Sequence, residues 1–334
     1  MKAVRVPRVE AEKVRRLAEK TGAKDKNRLI VTKGEFVEIP IYDGYEELFS
    51  QYEIVQQESP VFKKKADLLH ALKPLIPESL HQLIPRSYKI VGDIALVKIP
   101  QELESHAELI AEKIMKIHPR LKAVWRDFGK EGMLRRPHLQ LLAGEGSETI
   151  HREFGCVYRL DVTRVMFSPG NLGEKMRLVK LVRSGETIVD MFAGIGYFTI
   201  PLAVHTNARG IYSIEINPDS YHYLLENIRL NKANNVVPIL GDSMKVTPEG
   251  VADRVVMGHI FCHEFLEVAI RALKPEGGMI HYHESVPEAV IQRPVERVKK
   301  AAKKTGRRVE ITGFRKVKNY SPGVIHVVVD AKIV

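Results

Sequence analysis

Apolar positions along this chain follow two rhythms. Short runs rich in β-branched residues, bounded by Gly, Pro or Asp, alternate with stretches whose apolar residues fall three and four apart, so strands alternate with helices. The pattern is most regular in the second half. Thr187–Asp190, Ile211–Asn217, Val236–Leu240, Asp253–Ile260 and Gly278–His283 read as strands, with helical period over Tyr197–Val204, Glu264–Leu273 and Val295–Thr305. Val309–Ile311 and Val324–Val329 read as an antiparallel pair joined by an exposed loop. Strand–helix alternation of this kind predicts an α/β sheet that is mostly parallel.

The first half is less regular. Val9–Ala18 has helical period, and Leu29–Thr32 and Phe36–Ile41 read as strands around Lys33-Gly34, which makes residues 1–60 a small α/β unit. Pro60 and the Lys63–Lys65 run read as a linker, followed by a helical Ala66–Leu72. Tyr88–Ile99 reads as a strand pair turning at Gly92-Asp93, and Glu102–Ile117 as an amphipathic helix. Ala123–Arg126, Leu139–Ala143, Glu148–Glu153 and Cys156–Leu160 supply further strands. Three domains are expected: 1–60, 66–165 and 166–334.

The candidate chemistry gathers at Thr187–Gly196, TIVDMFAGIG, where a buried strand runs into a glycine turn and then a helix. Gly194 and Gly196 remove Cβ atoms where the backbone bends, which lets a ligand approach. Asp190 ends the strand, where open α/β sheets bind ligands. Alone, the turn fits any tight strand-to-helix connection. About twenty residues further on, the second strand carries Glu215, a carboxylate placed to bond both ribose hydroxyls of a nucleoside. The third ends in Gly241-Asp242-Ser243, where Asp242 can accept from an adenine amino group and Ser243 adds a donor. This trio fits S-adenosylmethionine (SAM) better than a dinucleotide, because the turn is shorter than G-x-G-x-x-G and has no pyrophosphate to cradle.

Charge changes the picture of the partner. Lys and Arg number 52 against 41 Asp and Glu, a net charge of +11, so a polyanion competes with a merely solvated basic surface. Residues 293–318 hold the densest basic run, and Arg120, Arg126, Lys130, Arg135, Arg136 and Arg152 are candidates to steer RNA by forking onto phosphates. The two cysteines, Cys156 and Cys262, form neither a disulfide framework nor a zinc quartet and read as buried thiols. No signal peptide or apolar span is evident, so a soluble, cytoplasmic protein with no membrane partner and no metal is expected.

FSPGNLGEKMR, VDMFAGIG, IEINPDSYHYLLENIRLNK, GDS, MGHIFCHEF, GGMIHYHESVPE and NYSPGVIHVVVD, in this order, resemble the archaeal tRNA wybutosine-synthesising enzymes that use SAM as an aminocarboxypropyl donor. The resemblance covers roughly residues 66–334. It implies a Rossmann-like class I SAM-dependent methyltransferase fold, a seven-stranded mixed sheet with smaller N-terminal α+β domains. It also implies a monomer acting on position 37 in the anticodon loop of tRNA-Phe. By resemblance Ser168, Lys175, Glu215, Asp242 and Ser243 hold the donor, with Asp190, Phe192, Ala193, Gly194, Gly196, Ile216, Met257 and Gly258 lining its site. Glu174 takes the place of a general base and Arg135 lies near the target nucleotide. Seen in isolation, Glu174 and Arg177 read as a helix-surface pair, and His259 as a strand-end packing residue.

The same scaffold serves relatives that methylate N1 of guanosine 37, and those often carry an extra N-terminal domain like residues 1–60. They have Asn-Leu-Pro at the end of the fourth strand, where this chain has Met257-Gly258-His259, and an arginine after Phe-Ser-Pro, where it has Gly170. Three readings follow: an aminocarboxypropyl transferase on a tricyclic guanine derivative, a methyltransferase at the same position, and a non-catalytic RNA-binding protein. The intact trio argues against the last.

Overall fold

The computed structural model describes residues 1–62, 67–132, 136–167 and 172–334. The linker run Lys63–Lys65 lies outside them. The chain divides into two compact units, Met1–His70 and Ala71–Val334.

In the first unit, β1 (Lys2–Pro7), α1 (Ala11–Lys20), β2 (Val31–Lys33), β3 (Phe36–Pro40) and β4 (Glu53–Gln56) build a sheet of order β2-β3-β1-β4. Its pairings are all antiparallel. Val4, Val6, Val14, Ala18, Ile39 and Phe49 form its core. Sequence reading overlooks β1 and β4, because charges interrupt their apolar pattern. Those charges pair across strands: Arg5 on β1 reaches Glu38 on β3 at 3.0 Å and Glu53 on β4 at 3.3 Å.

The second unit begins around α2 (Leu68–Leu72), which spans the division, and continues through β5 (Lys89–Val91), β6 (Ile94–Val97), α3 (Ala107–Ile117), β7 (Ala123–Glu131) and β8 (Arg136–Gly144). These strands form the sheet β5-β6-β7-β8, and β9 (Glu148–Glu153) pairs with β10 (Cys156–Asp161) as a separate hairpin. The expected turn at Gly92 is present, with φ +58°.

The largest sheet follows: α4 (Leu172–Leu181), β11 (Thr187–Asp190), α5 (Thr199–His205), β12 (Gly210–Glu215), α6 (Pro218–Leu230), β13 (Val236–Leu240), α7 (Ser243–Val246), β14 (Arg254–Met257), α8 (Leu266–Ala272), β15 (Gly278–Pro287), α9 (Arg293–Lys304), β16 (Val309–Ser321) and β17 (Val324–Ile333). Its seven strands run β13-β12-β11-β14-β15-β17-β16. β11 to β15 are parallel, and β17 and β16 are antiparallel. Two apolar clusters cover the sheet, one reaching from Ile188 and Ile211 to β10, the other joining Val255, Ile280 and Val329 to α8 and α9.

Three expectations need correction. β14 stops at Met257, and Gly258–Ile260 is loop. α5 starts at Thr199 rather than Tyr197, because the glycine turn takes up the intervening residues. The exposed loop expected between Val309–Ile311 and Val324–Val329 is instead a continuous hairpin turning after Ser321. Its residues alternate between partly buried and exposed, and the polar ones disguise the strand.

Candidate active site at the carboxyl ends of the parallel strands

The ends of β11, β12 and β13 are tied together by backbone hydrogen bonds, Ala193 N–H to Ile214 O at 2.9 Å and Gly241 N–H to Glu215 O at 2.9 Å. The glycine turn, Glu215 and Asp242 therefore meet at one edge. Gly194 has φ +57° and packs against the Tyr197 ring, so a Cβ there has no room. Glu215 Oε2 accepts from Gly194 N at 2.7 Å and Oε1 from Asn217 N at 2.8 Å, which fixes both oxygens against the turn. Burial raises its pKa above the ordinary carboxylate value. Ile216 stands beside it, 47 % exposed. Asp242 caps α7, its Oδ1 accepting from Met244 N at 2.9 Å. Ser243 is buried, and its hydroxyl donates to Met191 O. Its one hydroxyl hydrogen therefore braces the first turn instead of serving as the free donor that sequence reading expects.

Asp190 is fully buried. It accepts from Thr199 Oγ1 at 2.8 Å and from Phe192 N at 3.3 Å, and Thr199 Oγ1 lies 2.8 Å from Ser213 Oγ. It stitches the strand end to the start of α5 and so holds the turn from behind. Burial pushes its pKa up to about 6.

At the fourth strand, Met257 is fully buried, and a Cβ on Gly258 would lie 2.7 Å from the Phe198 ring. The strand itself therefore ends without a polar side chain, and the next one, His259, follows in the loop. The loop after it is pinned by Ser285 N–H to Ile260 O at 3.1 Å and by Cys262 Sγ–H to His259 O at 2.7 Å. His259 lies against Phe192, with centroids 5.6 Å apart.

α4 supplies the charged wall. Glu174 is 4 % exposed, so the helix-surface reading fails. Arg177 holds both its oxygens, Nε to Oε2 at 3.0 Å and Nη2 to Oε1 at 2.5 Å, and forks onto Asp330 of β17 at 2.7 and 2.9 Å. His281 Nδ1 meets Asp330 at 2.6 Å, and Arg254 donates to His281 Nε2 at 2.6 Å, which fixes the hydrogen on Nδ1. Desolvation outweighs Arg177 and raises the pKa of Glu174. Lys175 is 2 % exposed, bonded to Glu153 Oε1 at 2.8 Å. The Tyr158, Phe167 and Tyr197 rings surround it at 5.2–5.7 Å.

Ser168, Arg135 and Gly170 lie outside the described residues. Arg126, a candidate RNA contact, is buried and bonded to Glu104 at 2.9 Å and Ile99 O at 3.2 Å, which removes it from that role. Arg120 and Arg152 do face solvent, on a groove of about 830 Å³ between β5 and β9. The basic run at 293–318 is also partly spent internally. Arg293 and Arg297 converge on Glu284 at 2.9 and 2.6 Å, Lys304 pairs with Glu267, and Arg307 donates to backbone carbonyls. Lys299, Lys300 and Lys303 remain exposed. Among residues sequence reading missed, Tyr197 follows the glycines directly, and Asp330 is the lone acid in an apolar strand, a signal in itself.

No helix among the described residues is long and apolar enough to cross a membrane, and among them no three His, Cys, Asp or Glu side chains are placed to hold a metal.

A glycine turn and two acids on three successive strands of a β13-β12-β11-β14-β15-β17-β16 sheet define a Rossmann-like, class I SAM-dependent transferase. The chain belongs to the TRM5/TYW2 family: the TRM5/TYW2 methyltransferase domain matches residues 149–312, the TYW2 N-terminal domain 68–147 and the tRNA methyltransferase 5 N-terminal domain 3–49. It is 46 % identical over 250 residues to the tRNA(Phe) (4-demethylwyosine(37)-C(7)) aminocarboxypropyltransferase of Methanocaldococcus jannaschii, covering 73 % of this chain and 97 % of that one. It is 39 % identical over 338 residues to the tRNA (guanine(37)-N(1))-methyltransferase Trm5b of Pyrococcus abyssi, covering 99 % and 98 %. The crystal structure of M. jannaschii TYW2 in complex with AdoMet matches with TM-score 0.61 at 41 % identity, over 74 % of this chain and 99 % of that one.

Proposed function

We infer that this chain is a SAM-dependent tRNA aminocarboxypropyltransferase. It moves the 3-amino-3-carboxypropyl group to the 4-demethylwyosine-type tricyclic guanine at position 37 of tRNA-Phe. The observation that carries the choice over methyl transfer is the end of β14, where Met257 is buried and Gly258 packs under Phe198. The polar asparagine that the methylating relatives carry there is replaced by this buried apolar side chain. The similarity to the M. jannaschii aminocarboxypropyltransferase supports the same choice.

The residues fit the donor. Each Glu215 oxygen keeps a lone pair beyond the one given to Gly194 or Asn217, enough for two ribose hydroxyls. Ile216 would cover one adenine face and Asp242 would accept from its amino group. Ala193 and Gly194 leave the turn open, and Phe192 and Gly258 would line the methionine arm. When bound, SAM supplies an electrophilic γ-carbon beside its sulfonium, which an attacking ring carbon takes while the C–S electron pair leaves with methylthioadenosine. Selection of that carbon is a matter of positioning. Glu174, its carboxyl raised in pKa and oriented by Arg177, would take the proton that the attacked carbon loses. Lys175, caged in aromatic rings, would turn to the donor carboxylate only by exchanging its bond to Glu153. Ser168 and Arg135 keep the roles that family resemblance implies.

The test uses SAM labelled in the methyl or the carboxyl carbon, with tRNA bearing the tricyclic precursor or left unmodified. Carboxyl label should enter only the tricyclic tRNA. Methyl label in tRNA would overturn the reading and leave the fold and donor site standing.

We further propose a three-part division: residues 1–60 and 66–165 add tRNA affinity, and 166–334 perform the chemistry. Deleting residues 1–60 should raise the apparent constant for tRNA and leave the saturated single-turnover rate nearly intact. Collapse of that rate would count against the division.

A further inference from the structure

A file of aromatic rings leads outward from the glycine turn. Phe192 meets His259 at 5.6 Å, His259 meets Phe261 at 5.9 Å with planes 69° apart, and Phe261 meets Tyr320 at 6.3 Å and 87°. The inner pair, Phe192 and His259, is partly buried, whereas the outer pair is exposed, Phe261 at 56 % and Tyr320 at 45 %. Exposed aromatic rings of this size, held in place, call for an explanation.

They are held in place by the backbone. Phe261 forms an isolated antiparallel bridge with Glu284, inside the loop pinned by Ile260 O and His259 O. Tyr320 stands on β16 where the register with β17 shifts between Asn319 and Ser321, the kind of irregularity that re-aims a side chain. Lys316 and Lys318 precede it on the same strand. Fixed π-faces beside lysines match an unstacked nucleobase and its phosphates.

We propose that Phe261 and Tyr320, whose planes stand 87° apart, form a platform for the base that flanks the reacting nucleotide of the RNA substrate, one ring stacking on its face and the other meeting its edge. The reacting base itself must reach the donor beside Phe192 and Gly258. The two outer rings lie one and two ring contacts beyond His259, a spacing suited to the next nucleotide along a splayed strand. This rests on the RNA-substrate part of the reading above and not on which group is transferred.

The experiment is a cycle of anticodon stem-loop RNAs against full-length proteins, with affinity read by fluorescence anisotropy in the absence of SAM. The RNAs carry either all bases or one abasic residue, placed 5′ or 3′ of the reacting position. Phe261→Ala and Tyr320→Ala should each weaken binding of the complete RNA, the ring that stacks by about 5- to 150-fold, the ratio set by about 1–3 kcal/mol per stacked base, and the ring at the edge by less. One of the two abasic RNAs should show the same loss with the wild-type protein and no further loss with the variants, because the partners are coupled. Phe261→Trp should restore affinity, and SAM affinity should stay within threefold throughout. Losses that multiply for both abasic RNAs, variants that bind like the wild type, or a parallel fall in SAM affinity would each overturn the platform. A wild-type protein that binds none of these RNAs would instead refute the RNA-substrate reading.

Discussion

Replacing Glu215 with Ala is the sharpest probe of the donor site. In the structure each carboxylate oxygen already accepts one backbone N–H, from Gly194 at 2.7 Å and Asn217 at 2.8 Å, and keeps one lone pair. Two ribose hydroxyls would fill those positions with charge-assisted bonds of about 1.5–3 kcal/mol each. Losing both weakens SAM binding by about 3–6 kcal/mol before the freed hydroxyls regain water, so Kd should rise at least tenfold and toward a thousandfold. Glu215→Gln retains one carbonyl oxygen and should fall between Ala and wild type. Calorimetric titration with SAM measures all three proteins, with circular dichroism confirming that each is folded. A Kd for Glu215→Ala within threefold of wild type would refute the assignment of this carboxylate to the ribose.

Two further outcomes are expected. Asp190 is an acid whose pKa rises in the fold from 3.8 to about 6, so its contribution to stability is fully present below about pH 4 and lost as pH climbs through 6. That rise corresponds to about 3 kcal/mol, and the neutral Asp190→Asn protein should gain roughly this much on the wild type between pH 4 and 7. Urea unfolding followed by Trp125, the single tryptophan and part of the second unit, reads it; a difference independent of pH would contradict it. Reversing charge at Lys299, Lys300 and Lys303 should weaken tRNA binding, flatten the log Kd against log salt slope by about 2–3, and spare SAM. Unchanged tRNA affinity would make these lysines a solvated face.

The parts of the site legible in sequence are those where chemistry coincides with strand ends. Gly194, Glu215 and Asp242 each follow an apolar run of strand length, so their convergence follows from parallel-sheet topology alone. The residues misread are those whose neighbours are remote. Arg126 reads as a phosphate contact because nothing nearby in sequence announces Glu104 beneath it. Ser243 reads as a ligand donor because Met191, whose carbonyl takes its hydrogen, lies in the turn after another strand. Glu174 and Arg177 resemble a surface pair until Asp330 is brought against them. β16 was hidden because Arg315, Lys316 and Lys318 suggest a loop, whereas a strand at a sheet edge tolerates such residues and uses them against unwanted pairing.

The Arg177–Asp330 fork ties together two parts of the chain that are far apart in sequence. Helix α4 precedes the seven strands of its sheet, yet the second carboxylate on Arg177 lies 153 positions later, on β17. Arg177 thus holds one acid of its own helix and one of the last strand, and without β17 it would keep Glu174 alone. A protein in which β17 has left the sheet would lose that anchor on the helix that carries Glu174.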